Sequence, residues 1–270
     1  MKRCIFAIMA AMLLCGCSIK EEPDTLAVSF FDVGKADSFL MTCGGKSLLM
    51  DAGTAKDGKK VAKRLEDMGV ESIDYLMITH FDRDHAGGAA QIIQDFDVKA
   101  LLRPEYMKES DESAECMAAE DRGVKVIIIT SQTDIQLGST KLVIHPADKV
   151  YENDASNNSS LVTEVFHGNN SLLFTGDIEK ERIADIKYEL NDAGYDFLKV
   201  PHHGKYEKIL PEFFSLVGAQ SAVITSSEKN PEEQETIQAL EDAGVKDILL
   251  TRGGEITLQS DGRKLDFTQE

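Results

Sequence analysis

The segment Thr79–Gly88 (THFDRDHAGG) most constrains what this chain can fold into. It holds two histidines and two aspartates within six residues, at the spacing H-x-D-x-D-H. Ionised carboxylates are almost never buried unless they are paired or bound to a metal. Imidazole and carboxylate groups are ligands that suit zinc, manganese and iron. The segment therefore predicts a metal site built from His80, Asp82, Asp84 and His85.

The residues around this segment place it at the end of a strand. Ser72–Thr79 is a short apolar run entered from a glycine, and it predicts a buried strand. Ligands commonly bind at the carboxyl ends of strands in α/β folds. Ala89–Phe96 predicts a helix, and we expect Gly87 and Gly88 before it to let the backbone pass close to a bound ion.

The spacing within the segment suggests two neighbouring ions. His80 and Asp82 are two residues apart, so an extended backbone points both side chains the same way. Asp84 and His85 are then free to serve a second ion. The alternative is that Asp82 or Asp84 only caps a helix over Ala86–Asp95, which would explain one acid but neither histidine.

The first residues predict export rather than fold. A basic start precedes the ten-residue apolar run Ile5–Leu14, which is too short to span a bilayer as a helix. Leu14–Cys17 (LCGC) resembles a bacterial lipoprotein cleavage box, in which Cys17 would be lipidated; a plain secretory signal peptide is the alternative. We expect residues 1–17 to be a lipoprotein signal peptide, 18–25 a tether and 26–270 one domain, on an extracytoplasmic lipoprotein of a bacterial cell membrane.

The net charge limits the partners that the chain can bind, and the cysteine content limits the disulfides that it can form. The formal net charge is -18, which argues against tight non-specific binding to duplex DNA because neutralisation of phosphates by Lys and Arg dominates that affinity. No obligate protein partner is evident. Outside the leader only Cys43 and Cys116 remain, and we predict no disulfide between them.

The pattern along the chain predicts two strand-rich blocks, each followed by alternating strands and helices. The predicted strands are 26–31, 38–42, 47–50, 72–79, 98–102, 124–130, 141–145, 160–166, 171–174, 196–200, 222–225 and 247–251, with short strands within 254–267; the predicted helices are 59–68, 89–96, 111–121, 179–190, 210–217 and 231–243. Gly44 and Gly45 predict a hairpin turn. Two such blocks suggest two packed sheets with helices outside.

Other polar residues follow predicted strands. Asp177 comes directly after Ser171–Phe174 and could bridge two metals, or it could cap the following helix. His202 and His203 follow another strand, and the pair is more typical of a ligand than a lone histidine is. Asp32 and Asp37 flank a glycine turn and could be turn residues only.

Five ordered motifs together resemble one family. They are DAG (Asp51–Gly53), THxDxDHxGG, NNxSLV (Asn157–Val162), TGD and PHHG. They resemble a metallo-β-lactamase-fold hydrolase, above all the domain of competence DNA-uptake (ComEC-type) proteins. The resemblance implies an α/β (α+β) fold, a four-layer αββα sandwich of two mixed sheets with helices outside, with two divalent metal ions between the sheet edges.

The resemblance also implies a ligand set. His80 and Asp82 would bind one ion, Asp84, His85 and one of His202 or His203 the other, and Asp177 would bridge. Asp84 and Asp177 would be the catalytic residues. The residues expected to contact substrate or support the ligands are Asp32, Asp37, Asn157 and Asn158. His145 and His167 match no motif, and we interpret them as structural or surface residues.

The chain also departs from its relatives. Asp82 replaces the middle histidine of true β-lactamases, and the NNSS segment stands where they carry a third histidine. The first site is thus richer in oxygen, which favours Mn²⁺ or weakly held Zn²⁺ and argues against β-lactam hydrolysis. Competence relatives resemble DVGQGD where this chain has Lys35 and Ala36, and the late segment Ser226–Pro231 lacks their histidine.

These expectations combine into one functional hypothesis. Two cations lower the pKa of a bridging water, which supplies hydroxide near neutral pH. We expect an exported, lipid-anchored hydrolase acting on a phosphoester, most of all a phosphodiester, in nucleic acid or in a phosphorylated envelope component. The alternative is a non-catalytic surface lipoprotein that retains the fold to bind DNA or a metal.

Overall fold

Two mixed β-sheets carry the site, and the computed structural model describes them through residues 24–107, 114–191 and 193–270. The predicted signal peptide with Cys17, most of the tether and the first three residues of the helix predicted over 111–121 lie outside the described residues. None of the helices in the described part of the chain is long and apolar enough to cross a membrane.

The strands follow the predicted order closely. They are β1 (Leu26–Phe30), β2 (Phe39–Cys43), β3 (Lys46–Met50), β4 (Ser72–Met77), β5 (Asp97–Pro104), β6 (Lys125–Ile129), β7 (Thr133–Leu137), β8 (Thr140–His145), β9 (Val162–His167), β10 (Asn170–Phe174), β11 (Phe197–Lys199), β12 (Ser221–Ile224), β13 (Asp247–Leu250), β14 (Ile256–Ser260) and β15 (Leu265–Gln269). One sheet has the order β15-β14-β1-β2-β3-β4-β5-β6 and the other β13-β12-β11-β10-β9-β8-β7. In each sheet a parallel half meets an antiparallel half, at β3 and at β10.

Helices cover the outer faces of both sheets. They are α1 (Gly58–Asp67), α2 (Arg83–Ala86), α3 (Ala89–Asp95), α4 (Ala114–Arg122), α5 (Ala155–Asn158), α6 (Lys180–Ile186), α7 (Leu210–Val217) and α8 (Gln234–Asp242), with 3₁₀ turns at Pro201–Gly204 and Thr251–Gly253. The first four pack on one sheet and the last three on the other, each through its apolar stripe. The predicted four-layer αββα sandwich is therefore confirmed.

Phenylalanines fill the layer between the sheets. Phe30 and Phe39 from one sheet meet Phe174 and Phe197 from the other, with centroid separations of 5.0 Å for Phe30–Phe39, 5.3 Å for Phe39–Phe174 and 5.6 Å for Phe174–Phe197. These are attractive ring separations. Phe30 and Phe174 close the strands that lead into the metal-binding segments, so this cluster fixes the two sheet edges against each other.

Two local predictions had different outcomes. Gly44 and Gly45 both have positive φ (56° and 72°), as a two-residue hairpin turn requires, so the predicted turn is confirmed. Strand β7 was missed because its sequence, TDIQL, mixes apolar residues with Asp and Gln, which are weak strand formers. It lies at a sheet edge and pairs with β8 alone.

Candidate metal centre

The carboxyl ends of strands from both sheets meet at one edge of the sandwich. Asp51 directly follows β3, His80 lies beyond β4, and α2 then supplies Asp84 and His85. From the other sheet, Asp177 follows β10, and the 3₁₀ turn after β11 supplies His203. The sequence thus brings together residues that are far apart in the chain by ending each strand at the same place.

Three buried histidines have one ring nitrogen engaged by the protein. His85 Nδ1 lies 2.8 Å from Asp51 Oδ2, and His203 Nδ1 lies 3.1 Å from the Thr225 carbonyl oxygen. His80 Nδ1 lies 3.2 Å from the hydroxyls of both Thr79 and Ser160. Such contacts fix the ring orientation and leave Nε2 available, as in metal sites.

The opposite nitrogens of these rings converge without hydrogen-bond partners. His85 Nε2 and His203 Nε2 each lie 3.2 Å from Asp177 Oδ2, but neither contact has hydrogen-bond alignment. In the described residues, Nε2 of His80, His85 and His203 and Oδ1 of Asp177 are all buried with no hydrogen-bond partner. Buried polar atoms left unpaired are costly and rare. Divalent ions would satisfy the imidazole nitrogens, so the residues fit a metal centre.

The charge state of the cluster agrees with this interpretation. Burial acts to lower the pKa of His85, but Asp177 and Asp51 outweigh it and hold the pKa well above its usual value. Burial likewise acts to lower the pKa of His203, yet Asp177 and Asp37 raise it. Because these carboxylates favour the protonated form of both rings, metal ions would bind in competition with protons.

One group of ligands is preformed. Single ligand atoms of Asp84, His85, Asp177 and His203 all lie within 4.8 Å of one another. Asp84 is half-buried: burial acts to raise its pKa, but His203, whose Nε2 lies 3.4 Å from Asp84 Oδ2, and the charge of His85 hold the pKa well below its usual value. This group matches the second ion site expected from the resemblance, with His203 in place.

The other expected site is less complete. The His80 ring lies 4.1 Å from the His85 ring, centroid to centroid, and burial together with neighbouring His85 lowers the pKa of His80 to about 3. Asp82 accepts a hydrogen bond from Ser156 Oγ at 2.6 Å and makes no side-chain cap on α2. Neither His80 nor Asp82 belongs to a group of three ligands within 4.8 Å among the described residues. Asp82 thus occupies the N-cap position of α2 without capping it through its side chain, and His80 and Asp82 flank the preformed group.

His202 faces a different partner from His203. Its Nδ1 lies 2.8 Å from Glu179 Oε1, and its Nε2 lies 3.8 Å from Asp177 Oδ2. His202 and His203 both adopt the left-handed conformation (φ 46° and 53°), which costs roughly 1–2 kcal/mol for each non-glycine residue. This strained turn sends the two imidazoles in different directions, His203 into the cluster and His202 to its rim.

Three acidic or basic residues of this region were not assigned a role from sequence. Asp51 orients His85; it stood in the DAG motif directly after a strand, which is the signal that could have revealed it. Glu179 pairs with both His202 and Lys205. Lys199 is completely buried at the end of β11 and pairs with Asp37.

The four residues expected to contact substrate or support ligands have different roles. Asp37 is buried, so it supports the cluster and contacts no substrate. Asn157 Nδ2 donates to Glu179 Oε1 at 3.1 Å, which also makes it a supporting residue. Asn158 Oδ1 accepts hydrogen bonds from the backbone N–H groups of Glu179 and Arg182 at the start of α6, which makes it a supporting residue as well. Asp32 is turned outwards and pairs with Lys60.

Two further expectations need correction. A Cβ on Gly87 would meet the Arg83 carbonyl oxygen at 2.3 Å and one on Gly88 the Ala52 carbonyl oxygen at 2.1 Å, so these glycines permit close backbone packing rather than approach to an ion. His145 and His167 are both buried, so the surface alternative is wrong. They are structural residues.

Comparison with known proteins places this arrangement in a family. The model of the metallo-beta-lactamase superfamily matches residues 31–225, which includes every ligand named above. The chain belongs to the metallo-β-lactamase superfamily.

Sequence relatives in this superfamily confirm the resemblance to competence proteins. ComE operon protein 3 of Bacillus subtilis (strain 168) is 27% identical over 264 residues, covering 89% of this chain and 34% of that protein. Recombination protein 2 of Haemophilus influenzae is 29% identical over 238 residues, covering 85% of this chain and 28% of that protein. The chain thus spans about a third of the length of these relatives.

Solved structures show the same fold at low identity. The metallo-beta-lactamase fold protein YhfI from Bacillus subtilis has a TM-score of 0.54 at 12% identity, covering 84% of this chain and 96% of that chain. Igni18, a metallo hydrolase from Ignicoccus hospitalis, has a TM-score of 0.53 at 15% identity, covering 91% of this chain and 99% of that chain. At this identity the likeness shows the fold alone.

Proposed function

We propose that this chain is an exported, lipid-anchored hydrolase that needs two divalent ions, zinc or manganese, and cleaves phosphodiester bonds. The observation that carries the proposal is the convergence of buried, unpartnered imidazole nitrogens on the Asp177 carboxylate. Two divalent ions held there would lower the pKa of a bound water and stabilise the charge on the oxygens of a phosphoryl group.

Asp177 and Asp84 differ in exposure, and this difference suggests different roles for them. The side chain of Asp177 is 3% exposed and that of Asp84 is 36% exposed. Asp177 is thus placed to hold ions and Asp84 to meet the substrate as well. An ionised Asp84 can accept a hydrogen bond from an attacking water and orient it, which is the role of a preorganised polar group in catalysis.

A cavity at the same edge of the sandwich is a candidate pocket for part of the substrate. It has a volume of about 140 Å³. Its walls include Pro104 at the end of β5, Ser159 just after α5, and Tyr106, Pro146, Lys149 and Val150. Because β5 is the neighbour of β4 and α5 supplies Ser156 to Asp82, this cavity lies on the same edge as the cluster. Glu105 and Asp148 also line it, so it would take an uncharged part of the substrate rather than the phosphoryl group.

The polymer or molecule that carries the phosphoester is one of two classes. The names of the relatives, competence and recombination proteins, favour nucleic acid. The net charge of -18 favours a substrate that needs no broad cationic surface, such as a phosphorylated envelope component. We expect weak or no non-specific binding to duplex DNA.

The start of the described chain bears on the orientation of the anchored protein. Asp24 lies beside His167, at the end of the sandwich where β1 begins, whereas Asp37 at the cluster follows the other end of β1. Six residues lie between Cys17 and Asp24, and the seven steps from one to the other reach at most about 25 Å when fully extended. An anchor at Cys17 would therefore hold the metal centre facing away from the membrane.

A substrate screen tests the hydrolase proposal. A soluble form that begins at residue 18 and lacks the lipidated cysteine is assayed against a generic phosphodiester, a phosphocholine ester and a lactone, with Mn²⁺ or Zn²⁺ and after chelation. Metal-dependent turnover of the phosphodiester is the expected result. Ion binding without turnover of any of the three would contradict it and favour the alternative, a DNA- or metal-binding lipoprotein. One observation favours this alternative: the segment Ser226–Pro231 lacks the histidine that competence relatives carry. Ser226 in this segment is buried, and its hydroxyl donates a hydrogen bond to Glu232.

Anchoring has its own test. Cys17→Ala should abolish labelling by a fatty-acid analogue in the native cell, with Cys43→Ala as the matched control because Cys43 is buried in the core. Equal labelling of wild type and Cys17→Ala would refute lipidation at this residue.

A further inference from the structure

Lys199 is the fully buried cation of the metal centre. Lysine is almost never fully buried unless it is paired. Its ammonium pairs with Asp37 Oδ2 and lies 3.8 Å from Asp177 Oδ1. Lys199 comes from the middle of one sheet and Asp37 from the loop after β1 in the other, so the pair joins both sheets directly behind the cluster.

The pair contacts three members of the cluster. Asp37 Oδ1 accepts a hydrogen bond from Thr225 Oγ1 at 2.6 Å and lies 3.4 Å from His203 Nδ1. Asp37 Oδ2 lies 3.9 Å from His85 Nδ1. Asp37 thus lies on the Nδ1 side of the His203 and His85 imidazoles, while the Lys199 ammonium approaches the carboxylate of Asp177.

The ammonium also decides which oxygen of Asp177 faces the ligands. Lys199 lies on the Oδ1 side, whereas His85 and His203 both approach Oδ2. The surrounding carboxylates are those of Asp37, Asp51, Asp82, Asp84 and Asp177. Lys199 together with two divalent ions matches their charge, so the ammonium acts as a permanent cation of the site.

We propose that Lys199 is a positioning residue that fixes Asp177, so that Oδ2 faces the imidazoles of His85 and His203, and that holds Asp37 behind these two rings. This inference rests on the proposed metal centre and deepens it. It differs from a purely structural role, in which Lys199 would serve only to neutralise the buried charge of Asp37.

The first test removes the ammonium. Lys199→Met keeps most of the side-chain volume and removes the charge. We expect ion retention at least tenfold weaker in competition with a chelator, comparable to loss of a residue that supports a metal ligand. We also expect a lower melting temperature of the metal-free protein, because the buried carboxylate of Asp37 loses the ammonium that compensates its charge. Lys46→Met is the control, since Lys46 is exposed and pairs with Asp74.

The second test separates positioning from charge compensation. Lys199→Met combined with Asp37→Asn removes both charges and leaves the net charge of the cluster unchanged. Removing both partners of a buried pair leaves no unpaired group, so the metal-free double variant should regain stability. Ion retention should stay at least tenfold weaker than in wild type, because Asp177 still lacks the ammonium.

The outcomes distinguish failure of the positioning role of Lys199 from failure of the proposed metal centre. Ion retention at the wild-type level in the double variant would overturn the positioning role while leaving the metal centre intact. A double variant that fails to fold would also contradict it. If the wild-type protein takes up no ion, the proposed metal centre itself fails, and the role of Lys199 falls with it.

Discussion

Buried histidines at the two ends of the sandwich differ in how many of their ring nitrogens the protein engages. At the far end of the sandwich, His167 has both ring nitrogens engaged, Nδ1 with Ser260 Oγ at 2.7 Å and Nε2 with the Asp24 carbonyl oxygen at 2.5 Å. At the near end, His85 and His203 have Nδ1 engaged and Nε2 without a hydrogen-bond partner among the described residues.

The difference separates a structural histidine from a candidate ligand. Burial does not distinguish them, because all three rings are almost completely buried. What distinguishes them is whether the protein satisfies both nitrogens, since a polar atom left unpaired needs another partner. Loss of a satisfied histidine should therefore cost fold stability, whereas loss of an unsatisfied one should cost metal binding.

The largest expected effect is on turnover. Asp84→Asn keeps the shape of the side chain and removes a charge from the preformed ligand group. We expect the rate of phosphodiester cleavage to fall on the order of a hundredfold, as for loss of a preorganised electrostatic contact. Asp67→Asn is the matched control, because Asp67 is exposed and pairs with Lys63. Wild-type turnover by Asp84→Asn would show that the ligand group is not the catalytic site.

The second effect separates the two adjacent histidines. His203→Gln should weaken ion binding about tenfold or more, because His203 is buried and belongs to the preformed group. His202→Gln should have a smaller effect, since its Nε2 lies 3.8 Å from Asp177 and its other nitrogen faces Glu179. Chelator competition on both variants gives the answer, and a larger loss in His202→Gln would reverse the assignment.

The third effect is on stability without metal loss. His167→Asn cannot reach both Ser260 and Asp24, so it should lower the free energy of unfolding by about 1–3 kcal/mol. Ion content per folded molecule should equal that of wild type. Denaturant unfolding and metal analysis on the same sample measure both quantities, and lost ions at unchanged stability would break the comparison.

The smallest effect concerns a second structural histidine, His145, which lies 2.9 Å from Glu164 Oε1. Burial acts to raise the pKa of Glu164, but hydrogen bonds with His145 and Tyr195 outweigh it and leave the pKa below its ordinary value. A depressed folded-state pKa adds stability above the unfolded-state pKa, about 4.3, and this stability is lost as the pH falls through the folded-state pKa.

Glu164→Gln should remove this dependence. We expect a stability loss of about 1 kcal/mol at pH 7 that shrinks below about pH 4, when the wild-type carboxylate also becomes protonated. Unfolding measured at a series of pH values checks this. A loss that grows towards acid pH would contradict the assigned charge state of Glu164.

The sequence predicted the features that depend on residues close together in the chain. Strands, their polar ends and the candidate ligands His80, Asp84, His85 and Asp177 could be located because each of these residues follows an apolar strand or stands in a dense motif. The αββα fold followed from the motifs through the family resemblance.

What the sequence could not give depends on contacts between distant segments. Lys199 looks like an ordinary strand end until the fold places Asp37 against it from the other sheet. The choice of His203 over His202 depends on a strained backbone turn, and the capping role of Asn158 depends on where α6 begins. None of these leaves a periodic or spacing signal in the sequence.

Metal analysis of the wild-type protein tests the central claim most directly. The mature chain is purified without chelator, loaded with Mn²⁺ or Zn²⁺, dialysed and assayed for ions per molecule. The account predicts about two ions, one held more tightly by the preformed group of Asp84, His85, Asp177 and His203. A protein that retains no ion of either metal, while folded, would contradict it.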